Sequence, residues 1–123
     1  MTASVEAVVA AHLEPGMRVV VADGAGAPLA LLGSLSEAAR TVGQIELVLG
    51  WCLLAPEDLV PSSFTRVSTV MGGFGLRDLV RSGAVDYFPE RLRAVPELLR
   101  TRLAPDLLIL AVSPSDAGWQ WGT

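Results

Sequence analysis

Two glycine-containing loops carry the residue types best suited to bind an anionic ligand. The first covers residues 23–28, contains Gly24 and Gly26, and joins a predicted strand to a predicted helix. At such a junction, backbone N–H groups and the positive end of the helix dipole can face an anion. The same glycines are also compatible with a tight turn that only lets the helix pack on the strand. The sequence leaves both interpretations open.

The first loop does not match the standard nucleotide-binding motifs. A dinucleotide fingerprint needs a third glycine three residues after the second, and Leu29 occupies that position. A Walker-type loop needs a lysine, and the chain contains none. Asp23 also places a negative charge where a phosphate would lie. Both nucleotide-binding motifs are therefore excluded.

The second glycine cluster comprises Gly72, Gly73 and Gly75 around Phe74. It follows a predicted strand, at the end where open α/β sheets bind their ligands. Three glycines within four residues exceed what one turn requires, and they would let a substrate approach the backbone. We expect Phe74 to form a wall of the site and Arg77 to bind a carboxylate or phosphate. The alternative is that Arg77 pairs with a neighbouring acidic residue at the surface.

Other side chains that could take part in chemistry give weaker signals. His12 is the single histidine, so a metal site or a Cys-His pair lacks partners, and we expect a structural role. Cys52 is the single cysteine, cannot form an intrachain disulfide, and is interpreted as a buried, inert thiol. No Gly-x-Ser-x-Gly motif of serine hydrolases occurs. We therefore assign no catalytic residue and no metal site within this sequence.

The composition is unusually apolar, with 51% hydrophobic and 18% charged residues. A membrane-spanning helix needs about 18 consecutive apolar residues, and the longest apolar runs, residues 47–55 and 107–112, are shorter. The first ten residues lack the basic start of a secretory signal. We therefore expect a cytoplasmic protein that does not bind a membrane, with a sheet covered on both faces and a surface for a partner. Trp119 and Trp121 are candidate interface residues.

The charge pattern argues against nucleic-acid binding. The formal net charge is −4, and the basic residues are nine scattered arginines, several of them beside acidic residues. A nucleic-acid footprint needs basic residues clustered on one face. We therefore expect no nucleic-acid partner.

The hydrophobic pattern predicts strands that alternate with helices in one domain of 123 residues. Such alternation indicates right-handed crossovers and an α/β fold with a mainly parallel sheet and helices on both faces. The long connection at residues 51–65 is predicted to hold one helical turn near residues 56–59. The predicted strands are residues 17–22, 45–49, 67–71, 85–88 and 107–112, and the main predicted helices are an N-terminal helix ending before Pro15, residues 28–43, residues 76–82 and a helix starting at Pro96.

The order of these elements resembles the N-terminal domain of the acetyl-CoA hydrolase/CoA-transferase family, which includes 4-hydroxybutyrate CoA-transferases. The resemblance covers nearly the whole chain. One departure is Ala117, which directly precedes Gly118 where the family usually has a histidine. The matching positions are Gly16, Arg18 to Val20, Pro28, Gly73, Arg77, Gly83, Asp86, Tyr87, Pro89, Pro96, Asp106, Ser113, Pro114, Asp116 and Gly118.

The resemblance implies a CoA-transferase (NagB/RpiA-like) fold and transfer of coenzyme A between an acyl-CoA and a carboxylic acid, or hydrolysis of acyl-CoA. The nucleophile in this family is a glutamate of the C-terminal domain, so no glutamate of this chain is assigned that role. Residues 1–123 are expected to be an incomplete N-terminal domain. The resemblance places the acyl side of the cleft at the glycine loops, with Gly24, Gly26, Gly72, Gly73, Phe74 and Arg77 as substrate-binding residues.

The same resemblance implies the partners. The substrates would be a coenzyme A thioester and a carboxylate, with no bound cofactor. The protein partner would be a C-terminal catalytic domain or subunit, within a homo- or hetero-oligomer. The alternative is a non-catalytic binding or interaction module that retains the fold.

Overall fold

The apolar segments form a five-stranded parallel sheet in the computed structural model, which describes residues 2–24 and 27–121, with only the backbone of Trp121. Val20 lies beside Val48 of one neighbouring strand and Leu108 of the other. The order across the sheet is β4-β3-β2-β1-β5. The strands are β1 (Arg18–Val21), β2 (Glu46–Leu49), β3 (Arg66–Thr69), β4 (Asp86–Tyr87) and β5 (Leu107–Ile109).

Helices connect these strands, and their ends follow local sequence signals. The side chain of Ser4 accepts a hydrogen bond from the Ala7 N–H at 3.2 Å and caps the first helix. Gly43, with φ of +81°, ends the second helix in a conformation that glycine adopts without strain. The helices are α1 (Val5–Ala11), α2 (Leu32–Val42), α3 (Arg77–Arg81) and α4 (Val95–Arg100).

Successive strand residues point to opposite faces of the sheet, so the apolar strands build two cores. Val19 and Leu47 belong to the larger core, which also contains buried residues of α1 and α2 and is contacted by α3. Val20 and Val48 belong to a smaller core with Leu98 of α4. The expected α/β fold, with a parallel sheet and helices on both faces, is therefore confirmed.

The strand order determines where the loops lie. From β1 to β4 each new strand is added on the same side, and β5 then returns to the opposite side of β1. Because all five strands are parallel, their carboxyl ends share one edge of the sheet. We call this edge, with the loops that follow β1, β2 and β3, the carboxyl edge. Open α/β sheets bind ligands at this edge, at the point where the strand order reverses.

The predicted strand at residues 107–112 is too long. The structure ends β5 at Ile109 and uses Val112 to begin a separate antiparallel hairpin of β6 (Val112–Ser115) and β7 (Gly118–Trp121). The continuous apolar run conceals the break, because apolarity alone does not mark where a strand leaves a sheet. Gly118, with φ of +115°, follows the two-residue turn of this hairpin.

The structure has a single hydrogen-bonded turn at residues 56–59, where one helical turn was predicted: the Leu59 N–H donates to the Pro56 carbonyl oxygen at 3.0 Å. A short 3-10 turn follows at Pro61–Ser63. One helix prediction needs correction. The helix predicted to start at Pro28 instead begins with a 3-10 turn at Leu29–Leu31, and α2 starts directly after that turn, at Leu32. Over residues 2–24 and 27–121, we find no helix with the length and apolarity needed to cross a membrane.

Candidate functional site

The segment that follows β2 connects the two predicted glycine loops at the carboxyl edge. The Gly24 N–H donates to the Trp51 carbonyl oxygen at 2.8 Å. The Gly75 N–H donates to the Cys52 carbonyl oxygen at 2.9 Å. Two loops that are about fifty residues apart in sequence are thus joined through adjacent residues of one segment. The structure therefore brings Gly24 and the second glycine cluster together.

Trp51 also contacts both loops through its side chain. Its ring lies 5.5 Å from the ring of Phe74, centroid to centroid, with an interplanar angle of 78°. Such edge-to-face pairs are favourable beyond the area that they bury. On the other side, a Cβ placed on Gly24 would lie 3.6 Å from Cε3 of Trp51. The indole ring therefore fills the space between Gly24 and Phe74.

The indole N–H of Trp51 is buried and has no hydrogen-bond partner within the described parts of the chain. Buried tryptophan N–H groups normally find an acceptor, and leaving one unsatisfied costs about 1–3 kcal/mol. A donor in this state is suited to an oxygen acceptor supplied by a ligand. The sequence pattern alone does not point to Trp51. The only signal was an aromatic residue directly after Gly50 at a strand end.

Thr69 fixes the start of the second glycine cluster. Its side chain is fully buried at the end of β3. The Thr69 hydroxyl accepts a hydrogen bond from the Met71 N–H at 3.1 Å and donates to the Met71 carbonyl oxygen at 3.2 Å. A buried side chain that bonds the following turn restrains the path of that turn. The backbone that leads into Gly72 and Gly73 is thereby held by a residue of the sheet.

The glycines of the site differ in what surrounds them. A Cβ on Gly73 would meet no atom within 4 Å, whereas a Cβ on Gly72 would lie 3.2 Å from the Tyr87 ring. A Cβ on Gly75 would lie 2.0 Å from the Leu54 carbonyl oxygen. Gly75 is therefore needed for close packing, and Gly73 borders open space. Gly26, another predicted site residue, lies outside the described residues.

Phe74 and Arg77 are both exposed at this edge. Phe74 is 61% exposed and has φ of +50°, an uncommon conformation for a bulky residue. Arg77 is the first residue of α3. None of the four ion pairs found in the described chain involves Arg77, so the structure does not show the alternative surface pairing. Its guanidinium is available to a carboxylate or phosphate.

Cys52 belongs to the segment that follows β2 and is 2% exposed, as expected for a buried thiol. Burial raises the pKa of this thiol, and the negative charge of Asp23 raises the pKa further. The thiolate is the reactive form of cysteine, so both effects make Cys52 a poor nucleophile at neutral pH. The expectation of an inert thiol agrees with this environment.

We expect the free energy of unfolding to decrease as the pH rises above about 9. The folded-state pKa of Cys52 lies above its ordinary value of 9.0, so the unfolded chain loses the thiol proton first. The resulting stabilisation is fully present below that ordinary value and is lost as the pH rises through the folded-state pKa. Urea unfolding at about pH 7 and about pH 10 measures this change. The Cys52→Ala variant is the control. If its free energy of unfolding had the same pH dependence as that of the unchanged protein, the effect would not come from Cys52.

A surface depression lies beside the carboxyl edge. Its volume is about 410 Å³, within the range of small-molecule sites. It lies between the start of the α2 region and the segment after Trp51. The lining residues are Leu29, Ala30, Leu54, Ala55, Pro56, Glu57 and Asp58.

A second cavity lies on the opposite face of the sheet, between the strands and α4. Its volume is about 290 Å³, and it reaches the carboxyl edge at Asp23 and Gly50. The remainder of its wall is apolar and includes Val20, Val48 and Leu99. His12 lies outside both cavities, is exposed, and has its ring Nδ1 2.7 Å from the Val8 carbonyl oxygen at the end of α1.

Comparison with known proteins gives a match in structure only. The structure of RipA from Yersinia pestis matches with a TM-score of 0.72 and 20% identity, covering 93% of this chain and 29% of RipA. A glutamate-to-aspartate variant of RipA matches with a TM-score of 0.74 and 21% identity over the same shares. A glutamate-to-alanine variant of RipA matches with a TM-score of 0.73 and 22% identity, and the match covers the same shares of both chains. No family model and no curated protein matches the chain.

These matches show the fold. The chain shares with RipA an α/β fold with a parallel sheet and helices on both faces, as the sequence led us to expect. The chain spans about 29% of the length of RipA.

Proposed function

We propose that this chain forms the acyl-binding part of a CoA-transferase or acyl-CoA hydrolase. The observation that carries the proposal is the meeting of both glycine loops around Trp51, whose buried N–H has no partner among the described residues. The fold shared with RipA supports the same class of protein. The substrates are a coenzyme A thioester and a carboxylic acid, and no bound cofactor is needed.

Each residue of the site has a role in this proposal. Gly24, Gly26, Gly72 and Gly73 let the substrate approach the backbone at the carboxyl edge. Phe74 forms a wall, held against Trp51 by the edge-to-face contact. Arg77 binds the carboxylate of the acid or a phosphate of coenzyme A, and the Trp51 N–H donates to a substrate oxygen.

The nucleophile belongs to another part of the assembly. In the proposed reaction, a glutamate carboxylate attacks the thioester carbonyl and releases the coenzyme A thiolate, which leaves an acyl-glutamyl anhydride. The thiolate then attacks the glutamyl carbonyl, which frees the first carboxylate and forms a glutamyl-CoA thioester. A second carboxylate then attacks the glutamyl-CoA thioester and releases the thiolate, which leaves a new acyl-glutamyl anhydride. The thiolate attacks the acyl carbonyl of this anhydride, so that the new acyl-CoA leaves and the glutamate carboxylate is regenerated. This chain supplies positioning and charge stabilisation.

Exposed apolar side chains support a partner domain or subunit. Leu92 is 72% exposed and Trp119 is 75% exposed. Large apolar side chains in such positions are typical of surfaces that another protein covers. A C-terminal catalytic domain or subunit, in a homo- or hetero-oligomer, would cover them.

The test is reconstitution. The chain is coexpressed with a C-terminal CoA-transferase domain that carries the glutamate, and new acyl-CoA is measured after addition of a second carboxylic acid. We expect transfer that needs both parts and that hydroxylamine stops by trapping the glutamyl thioester. The C-terminal domain alone and the chain alone are the controls. Absence of transfer, together with no affinity of the chain for acyl-CoA, would instead support a non-catalytic binding module.

A further inference from the structure

We infer that the acyl group bound at this site is apolar and uncharged, and that the depression beside the carboxyl edge holds its tail. This inference rests on the proposed function, because it names the substrate class of the same site. It excludes acyl groups with a second carboxylate. The position of the depression, its apolar wall and the charge at its rim support this inference.

The depression is lined by residues that adjoin the two glycine loops. Leu29 and Ala30 line one side and directly follow the loop that contains Gly24. Leu54 lines the other side, and its carbonyl oxygen packs so closely on Gly75 that a Cβ there would lie 2.0 Å away. A carboxyl or thioester group held at the carboxyl edge would therefore have its tail directed to this depression.

The wall of the depression is apolar. Leu29, Leu54 and Pro56 contribute side chains without hydrogen-bonding groups. Leu54 is 68% exposed although it borders a concave surface. An apolar tail would cover this side chain and displace water from it, whereas a charged tail would lose hydration without gaining a partner.

The rim of the depression is acidic. Glu57 and Asp58 are both exposed, and neither takes part in an ion pair within the described parts of the chain. Asp58 lies close to α2, since a Cβ on Gly33 of α2 would lie 3.2 Å from the Asp58 Cβ. Two uncompensated carboxylates beside the binding space repel a second carboxylate on the tail. The same charges leave an uncharged tail unaffected.

Binding of small carboxylates to the 123-residue chain itself tests this inference without the catalytic partner. Valerate and glutarate have the same number of carbons and differ in the second carboxylate. We expect valerate to shift the NMR methyl signals of Leu29 and Leu54 saturably, and glutarate to bind about tenfold more weakly or less. The methyl signals of Leu92, which is exposed outside the depression, should not respond.

A charge variant distinguishes electrostatic repulsion of glutarate from steric exclusion of glutarate. In the double variant Glu57→Gln and Asp58→Asn, the ratio of glutarate to valerate affinity should rise several-fold. Glu14→Gln, an exposed change before β1, should leave the ratio unchanged. Equal shifts with both acids, no shift with either, or a ratio that the double variant does not change would overturn the inference. Failed reconstitution of CoA transfer with preserved valerate selectivity would instead count against the proposed function alone.

Discussion

Replacing Gly75 by alanine is expected to destabilise the protein by about 3 kcal/mol or more. The new Cβ would lie 2.0 Å from the Leu54 carbonyl oxygen, 2.3 Å from the Leu54 carbonyl carbon and 2.8 Å from the Ala55 nitrogen. These are backbone atoms, so no side-chain rotation can relieve the clash. The hydrogen bond of 2.9 Å from the Gly75 N–H to the Cys52 carbonyl oxygen holds the same two segments together. Urea unfolding followed by circular dichroism measures the loss.

Gly73→Ala is the matched control for this experiment. Gly73 lies two residues away, has an extended backbone with φ of −95° and ψ of −170°, and has no atom within 4 Å of its Cβ position. We expect the Gly73→Ala substitution to change the free energy of unfolding of the protein by no more than about 0.5 kcal/mol. If Gly75→Ala were as stable as this control, the close approach of residues 54 and 55 to the second glycine cluster would be wrong.

The Gly75 contact matters for the site as well as for stability. It fixes the Leu54 backbone against the second glycine cluster, and Leu54 lines the depression. The Trp51 carbonyl oxygen accepts a hydrogen bond from Gly24, and the Trp51 ring contacts Phe74 edge to face. A change at Gly75 should therefore alter both the wall of the depression and the position of the indole ring. Valerate binding would weaken in Gly75→Ala even where the protein remains folded.

The central strands could be predicted from the sequence because they are buried on both faces. Residues 19–21 and 47–49 are consecutive apolar residues, as required when a helix covers each side of a parallel sheet. The turns that bound them contain glycine or proline. Parallel strands place the loops after β1 and β3 at one edge, so the shared location of the two glycine loops also followed from the pattern.

The hairpin at the end of the described chain could not be predicted in the same way. Its strands Val112–Ser115 and Gly118–Trp121 pair with each other and not with the main sheet. The apolar run that starts at Leu107 continues past Ile109, so the pattern gave no boundary. A proline within a strand and a single glycine after a two-residue turn are weak signals compared with that run.

Trp51 and the depression depend on tertiary contacts that local patterns do not contain. The missing partner of the indole N–H becomes visible only when the surrounding loops are in place. The depression joins Leu29 to Leu54, which are far apart along the chain and lie in segments without regular spacing. Sequence reasoning could identify the glycine loops as candidates, but it could not identify the segment that joins them.

Replacing Gly73 by valine is expected to abolish CoA transfer by the reconstituted enzyme while leaving the stability of the chain nearly unchanged. The backbone of Gly73 is extended, a conformation that valine adopts readily, and the space around its Cβ position is empty. The valine side chain would occupy the open space at the carboxyl edge where the proposal places the acyl group. Misplacement of a substrate by about 1 Å can cost about 100-fold in rate, and we expect kcat/KM to fall at least that far.

The measurement compares kcat/KM per folded molecule with the free energy of unfolding for Gly73→Val and Gly73→Ala. The smaller alanine should reduce transfer less than valine does, because its methyl group fills less of the space. A graded loss of activity at constant stability assigns Gly73 to the acyl site. Large destabilisation by valine with activity per folded molecule intact would show that Gly73 serves only the turn, and the acyl group would then have to lie away from the second glycine cluster.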